Sequence, residues 1–188
     1  MASPDIATKS RGELLRLGVA LTSTVPAIAV LWWHFGTYLP FMADDAFISL
    51  RYAQRLVHGA GLTWTDGEAV EGYSNLLWIL GCALIGLFTD FISSVRILGV
   101  LSTVGTFVAI CLSFFVTSPG RVASVVATVV LALSGPIAVW SIGGLEAPLV
   151  CFLLTMIVVT IVRAIDAEGP TKLQFWTIAT SSALFTLC

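Results

Sequence analysis

Charge is the scarcest commodity in this chain. Only 11% of its 188 residues are Asp, Glu, Lys or Arg, where a soluble domain carries about 25%. With so little charge and 57% hydrophobic residues, an ordinary water-soluble fold is excluded. Long uncharged apolar runs, of about 18 residues or more, are membrane-span candidates. No basic stripe is present to follow a phosphate backbone, so nucleic acid is not an expected partner. The four cysteines, Cys82, Cys111, Cys151 and Cys188, all lie in apolar segments without C-x-x-C or metal spacing. A disulfide framework and a zinc site are both excluded, and small apolar packing residues remain. The apolar segments also carry almost no interior charge and no internal repeat, which argues against a transporter or channel.

Six apolar segments are present: Leu17–Phe35, Leu76–Thr89, Ile97–Thr117, Val122–Trp140, Pro148–Val162 and Leu173–Cys188. They predict an all-α, polytopic transmembrane bundle of about five to six segments. Trp32, Trp33, Trp78 and Trp140 stand near segment ends, where aromatic belts lie. Lys9, Arg11 and Arg16 before the first segment predict a cytoplasmic N-terminus. That segment is too long for the core of a cleaved signal peptide, and no small-x-small cleavage site follows it before Pro40. Pro26 is tolerable inside a membrane helix. The last segment has no stop signal or polar cap, so the sequence reads as residues 1–188 of an N-terminal membrane module cut short at its end.

Topology by the positive-inside rule poses a conflict. The loop from Arg163 to Lys172 leans cytoplasmic, which requires one earlier segment not to cross. Leu76–Thr89 is the best candidate, at about 14 residues and ~21 Å as a helix against a ~30 Å core. Glu146 then shares a side with Asp44, and Arg121 falls inside as expected. Arg96 falls outside, against the rule.

What little charge exists is concentrated. Asp44, Asp45, Asp66, Glu68 and Glu71, five of the eleven acids, fall in the first external loop, residues 36–74. Residues from Asp44 to His58 suit an amphipathic helix: Asp44, Arg51, Arg55 and His58 share one stripe, and Ala46, Leu50, Ala53 and Val57 the opposite face. Such a helix is expected to lie in the membrane interface, apolar side down. Gly59 and Gly61 stop it. Leu62–Val70 then reads as a small hairpin turned at Asp66-Gly67.

Each residue also has a bland role. An Asp caps the helix, but a cap accounts for only one of the pair. Arg51 and Arg55 suit a solvated face or lipid phosphates. His58 suits a C-terminal charge partner, and Asp66 a turn. Glu71 and Tyr73 suit interfacial anchors, and Glu146 a cap for the helix after it. Taken together, they match what sugar transfer from a lipid phosphate requires. A carboxylate must take the acceptor proton, and positive charge from Arg or a metal must meet the departing phosphate.

The blocks Asp44-Asp-Ala-Phe-Ile-x-x-Arg-Tyr-Ala53, Gly59-x-Gly-Leu62 and Gly67-Glu-x-Val-Glu-Gly-Tyr-Ser-Asn-x-x-Trp78 resemble bacterial membrane glycosyltransferases of the GT-C superfamily. The likeness is greatest to actinobacterial arabinofuranosyltransferase-like proteins. Trp140-Ser-Ile-Gly-Gly-Leu-Glu-Ala-Pro-Leu149 is similar to a Gly-(Leu/Met)-Glu-Thr segment of such proteins, with Ala147 in place of Thr. The resemblance implies inverting transfer of a sugar such as arabinofuranose from a polyprenyl-phosphate donor to a cell-envelope glycan at the outer face of the plasma membrane. It implies Asp44 or Asp45 as base, with Asp45 the candidate ligand of a divalent cation. Arg51 and Arg55 are then expected on the donor phosphate, and Glu71, Tyr73, Asn75 and Glu146 around the pocket. Such enzymes have many more spans, so a non-catalytic relative that keeps the scaffold is the alternative.

Overall fold

A computed structural model describes residues 25–67, 70–113, 118–166 and 169–188. The expectations for Lys9, Arg11, Arg16, the start of the first apolar segment and Glu68 lie outside the described residues. Within them every regular element is a helix: α1 (25–38), α2 (Ala46–Val57), α3 (Leu76–Gly86), α4 (Phe91–Ser113), α5 (Ser118–Leu133), α6 (Gly135–Ile142), α7 (Ala147–Asp166) and α8 (Lys172–Phe185). The all-α class expected from the sequence is therefore present.

Helix α4 is the hub, with α2, α3, α5, α6 and α7 all packed on it. Small residues make the close approaches possible. A Cβ on Gly99 would run into the backbone carbonyl of Ser141, so α4 and α6 meet backbone to backbone. A buried 2.6 Å hydrogen bond between the Thr103 and Ser141 hydroxyls lies in the same contact. Small residues and hydroxyl pairs are the usual adhesive between helices that have no water to escape from. Two apolar cores result. One joins Leu50, Tyr52 and Ala53 of α2 to Trp78, Ile79, Cys82 and Ala83 of α3 and to Val95 of α4. The other joins Leu31 and Phe35 of α1 to Phe107, Ala132, Ala138 and Ile142.

Two helices are long and apolar enough to cross a bilayer, Phe91–Cys111 in α4 and Ala147–Ile165 in α7. Val125–Leu133 and Gly135–Ile142 make a third candidate, bent by 66° at Ser134. The bend has a local cause. Ser134 is extended and occupies the N-cap of α6, and Pro136, which has no amide hydrogen to continue a helix from α5, sits in the first turn of α6 where none is needed. Among the described residues, then, two to three span candidates are present; the first apolar segment begins outside them, and an apolar run does not reveal the length of the helix it forms. At 11 residues α3 is about 17 Å long, short of a span as the parity argument requires. Helix α8 has 14 residues. It begins at a capping box in which the Thr171 hydroxyl accepts from the Gln174 amide and the Gln174 side chain accepts from the Thr171 amide.

Three further expectations change. The apolar stripe of α2 is real, since Ala46, Leu50 and Ala53 are buried. It is covered by α3 and α4 rather than by lipid. The segment from Leu62 to Gly67 contains bends and no strand, so the hairpin is not formed among the described residues; side-chain bonds from α2 hold it instead. Trp32 and Trp33 are exposed as belt residues would be, but Trp78 is fully buried.

The Gly99 contact can be tested directly. Gly99→Ala should force α4 and α6 apart and cost about 1–3 kcal/mol, lowering the thermal unfolding midpoint in detergent. An unchanged midpoint would show that the contact tolerates separation.

Candidate active site

Three helices begin at the same place. Asp45 is the N-cap of α2 and Asn75 that of α3. Glu146 directly precedes α7, its carbonyl accepting the Val150 amide at 3.0 Å. Between them is a polar hollow of about 230 Å³, lined chiefly by Asp45, Ser49, Tyr73, Ser74, Asn75 and Glu146. A helix N-terminus presents unpaired amide groups and about half a positive charge. Convergence of three such ends makes the hollow attractive to anions.

The turn from Gly143 to Glu146 is what brings Glu146 there. Trp78, fully buried in α3, donates its indole N–H to the Gly144 carbonyl at 3.1 Å. The Ala43 amide donates to the Gly143 carbonyl at 2.9 Å. Gly144 has φ +94°, and a Cβ there would stand 2.6 Å from Ala46 Cβ and 2.7 Å from Met42 Sδ. Only glycine fits both the backbone conformation and the space. With the turn docked, Asn75 Nδ2 donates to Glu146 Oε2 at 2.9 Å and to Ser49 Oγ at 3.0 Å. Asn75 is buried, so its amide positions Glu146.

The two neighbouring aspartates differ. Both are exposed, but Asp44 does not line the hollow, and its Oδ1 accepts the Asp45 amide at 3.1 Å. Asp45 lines the hollow, and its side chain makes no capping bond although it occupies the N-cap. Its carboxylate is thus available to a ligand. Tyr73 lines the same hollow and packs edge-on against Tyr52, with ring centroids 4.8 Å apart. Of the residues expected to form the site, Asp45, Tyr73, Asn75 and Glu146 come together. Asp44 and Glu71 are exposed nearby and do not line the hollow.

Arg51 and Arg55 are also apart from it. Arg55, only 12% exposed, pairs with Asp66 at 2.5 Å and donates from Nε to Thr63 Oγ1 at 2.8 Å. Arg51 donates to the Trp64 carbonyl at 3.4 Å and lines a second hollow with Asp90 and Phe91. His58 Nδ1–H donates to the Gln54 carbonyl at 2.7 Å, a C-terminal role on α2. The return of the loop is fixed by Tyr52, whose hydroxyl donates to the Val70 carbonyl at 2.8 Å and accepts from the Gly72 amide at 3.0 Å.

Among the described residues no trio of His, Cys, Asp and Glu gathers into a protein-only metal cage. Asp45 and Glu146 nonetheless supply two carboxylates to one hollow. Mg²⁺ is commonly held by one or two carboxylates together with substrate phosphates, and this donor set fits that mode. Sequence reading missed Ser49, Ser74 and the docking pair Trp78–Gly144. Ser49 was accessible, one helical turn after Asp45 and therefore on the same face. No family model matches the chain, and no curated protein or solved structure does either.

Two outcomes follow from this geometry. Tyr52→Phe should leave the Val70 carbonyl and Gly72 amide without their partner and destabilise the protein by about 1–3 kcal/mol, with faster hydrogen exchange at Gly72. The Arg55 guanidinium, through its hydrogen bond and then its charge, holds the Asp66 carboxyl below the ordinary value of 3.8. The anchoring of the loop is therefore complete above that value and lost as pH falls through the depressed one. Fluorescence of Trp64, which sits beside Tyr52, should change below pH 3.8 and not between pH 5 and 8. In Asp66→Asn this acid transition should vanish.

Proposed function

We propose that this chain is the N-terminal membrane module of a glycosyltransferase that moves a sugar from a polyprenyl-phosphate donor to a cell-envelope glycan. The observation that carries the reading is the shared hollow of Asp45 and Glu146, set among three helix N-termini. Acid–base chemistry needs an uncommitted carboxylate, and Asp45 supplies one. Phosphate departure needs positive potential, which the converging helix ends supply.

In the proposed reaction the acceptor hydroxyl gives its proton to the Asp45 carboxylate. The acceptor oxygen attacks the anomeric carbon, and the bond to the phosphate oxygen breaks on the opposite face. The phosphate leaves with the electron pair, and configuration inverts. Glu146, oriented by Asn75, binds acceptor hydroxyls or shares a divalent cation with Asp45. When bound, such an ion neutralises charge on the departing phosphate. Arg51 lines a separate hollow but, unlike Arg55, which is committed to Asp66, holds only a backbone carbonyl and is free to turn toward a donor phosphate.

The membrane arrangement supports the same reading. With α4, the bent α5–α6 pair and α7 each crossing once, and α3 staying on one side, the segments 41–75 and 143–146 fall together. Their hydrogen bonds require this. Arg163 then falls on the opposite side, which the positive-inside rule makes cytoplasmic. The hollow then faces outward, and a single crossing by the first apolar segment, whose start lies outside the described residues, puts the N-terminus in the cytoplasm.

The test is transfer of a labelled sugar from polyprenyl phosphate by the purified protein in liposomes. Asp45→Asn should lower turnover by about 10²–10⁴-fold, while Asp44→Asn stays within about twofold of the parent because its side chain does not reach the hollow. Full turnover by Asp45→Asn would remove the assigned base. Chelation followed by Mg²⁺ addition reads the metal contribution separately.

A further inference from the structure

A second opening lies on another face of the molecule, between α1 and α4. It is a groove of about 370 Å³ lined by Trp32, Phe35, Leu39, Val100 and Leu101, with Arg96 the one charged residue of its lining. The two helices run antiparallel here: Leu39 meets Arg96, and farther along Leu31 packs in one core with Phe107. Arg96 donates from one terminal nitrogen to the Leu39 carbonyl at 2.7 Å, at the end of α1. Its Nε is buried and has no hydrogen-bond partner. A buried guanidinium N–H without an acceptor is costly, and an anionic oxygen entering the groove would offset that cost through the terminal nitrogens, since Nε itself is closed to it.

The position of the arginine defines what kind of anion fits. Arg96 is the sixth residue of the span candidate that starts at Phe91, about 7.5 Å along the helix from its end. That is headgroup depth for a snorkelling side chain. Leu101 is about one and a half turns deeper, so the groove runs from headgroup level toward the hydrocarbon. Gly36 lies on its α1 side, and a Cβ there would meet nothing within 4 Å. The missing side chain leaves the groove open without being needed for helix packing.

We infer that this groove binds an anionic glycerophospholipid, with its phosphate on Arg96 and one acyl chain along Phe35, Gly36 and Leu101. Charge complementarity selects the anionic head, and the uncharged channel below it selects a hydrocarbon tail. The site is separate from the polar hollow and does not depend on the glycosyltransferase reading. It also accounts for an arginine on the side of the membrane where the positive-inside rule disfavours one.

The experiment is native mass spectrometry of the protein in detergent, titrated with phosphatidylglycerol, with phosphatidylcholine and with a polyprenyl phosphate. Phosphatidylglycerol should bind at least tenfold more tightly than phosphatidylcholine, and added polyprenyl phosphate should not displace it. Arg96→Gln should remove that preference. Because Arg96 also holds the Leu39 carbonyl, the decisive variant is Gly36→Leu, which fills the groove, leaves the charge in place and starts from a Cβ that meets nothing within 4 Å. It should reduce phosphatidylglycerol occupancy at least fivefold, with an unchanged thermal midpoint in lipid-free detergent. Equal lipid binding by Gly36→Leu and the parent would overturn the proposal. Displacement of bound phosphatidylglycerol by the polyprenyl phosphate would overturn the assigned occupant.

Discussion

The hydrogen bond from the Trp78 indole to the Gly144 carbonyl is the interaction on which the polar hollow depends. It joins α3 to a turn that lies three helices later in the chain. Together with the Ala43 amide on the Gly143 carbonyl, it holds Glu146 beside Asn75. Burial is what makes the bond strong: both groups are out of water, so breaking it leaves an unsatisfied donor and acceptor rather than two hydrated groups. The glycine is part of the same constraint. Its left-handed backbone turns the chain sharply enough to begin α7 at once, and its lack of a side chain lets α2 close over it through Ala46. Helix packing, turn geometry and the placement of a carboxylate are therefore one problem solved at one residue.

The three helix starts give the hollow its electrostatic character. Few formal charges are available in this chain, and the bilayer makes each of them expensive to carry. Helix ends contribute partial positive charge without any basic side chain, and they do so in fixed directions. The carboxylates of Asp45 and Glu146 stand at these ends, so acidic groups and anion-attracting amides occupy the same small space. Such a site can handle both a hydroxyl proton and a phosphate.

Much of this was legible in the residues, and the limits of that legibility have physical reasons. The helical stripe from Asp44 to His58 correctly separates the buried residues Ala46, Leu50 and Ala53 from the charged ones. Periodicity identifies an apolar face without saying what covers it, and protein covers this one where lipid was expected. The shortness of the Leu76–Thr89 segment placed Glu146 on the side of Asp44, and the Asn75–Glu146 hydrogen bond is consistent with that. Among the described residues two to three helices are long and apolar enough to span, and hydropathy alone registers neither the bend at Ser134 nor the shortness of α3 and α8. The hairpin failed for a different reason. Turn residues at Asp66-Gly67 signal a reversal, but the partner of Asp66 is Arg55 on a helix, and a long-range ion pair leaves no trace in local sequence.

The arginines show how scarcity of charge divides labour. Arg51 and Arg55 are one turn apart on α2 and look equivalent in sequence. The fold makes them different. Arg55 is nearly buried against Thr63 and Asp66, and its charge is used to fix the loop. Arg51 is exposed and holds only a backbone carbonyl, through a long contact. A guanidinium with one weak bond can turn toward a phosphate at little cost, while one in a short ion pair must first break it. Arg96, far from both in sequence, combines the two conditions: one nitrogen secures the end of α1 and another is left without an acceptor. In a chain this poor in charge, an unsatisfied basic group at headgroup depth is a stronger pointer to a lipid phosphate than a conspicuous cluster that has already been neutralised internally.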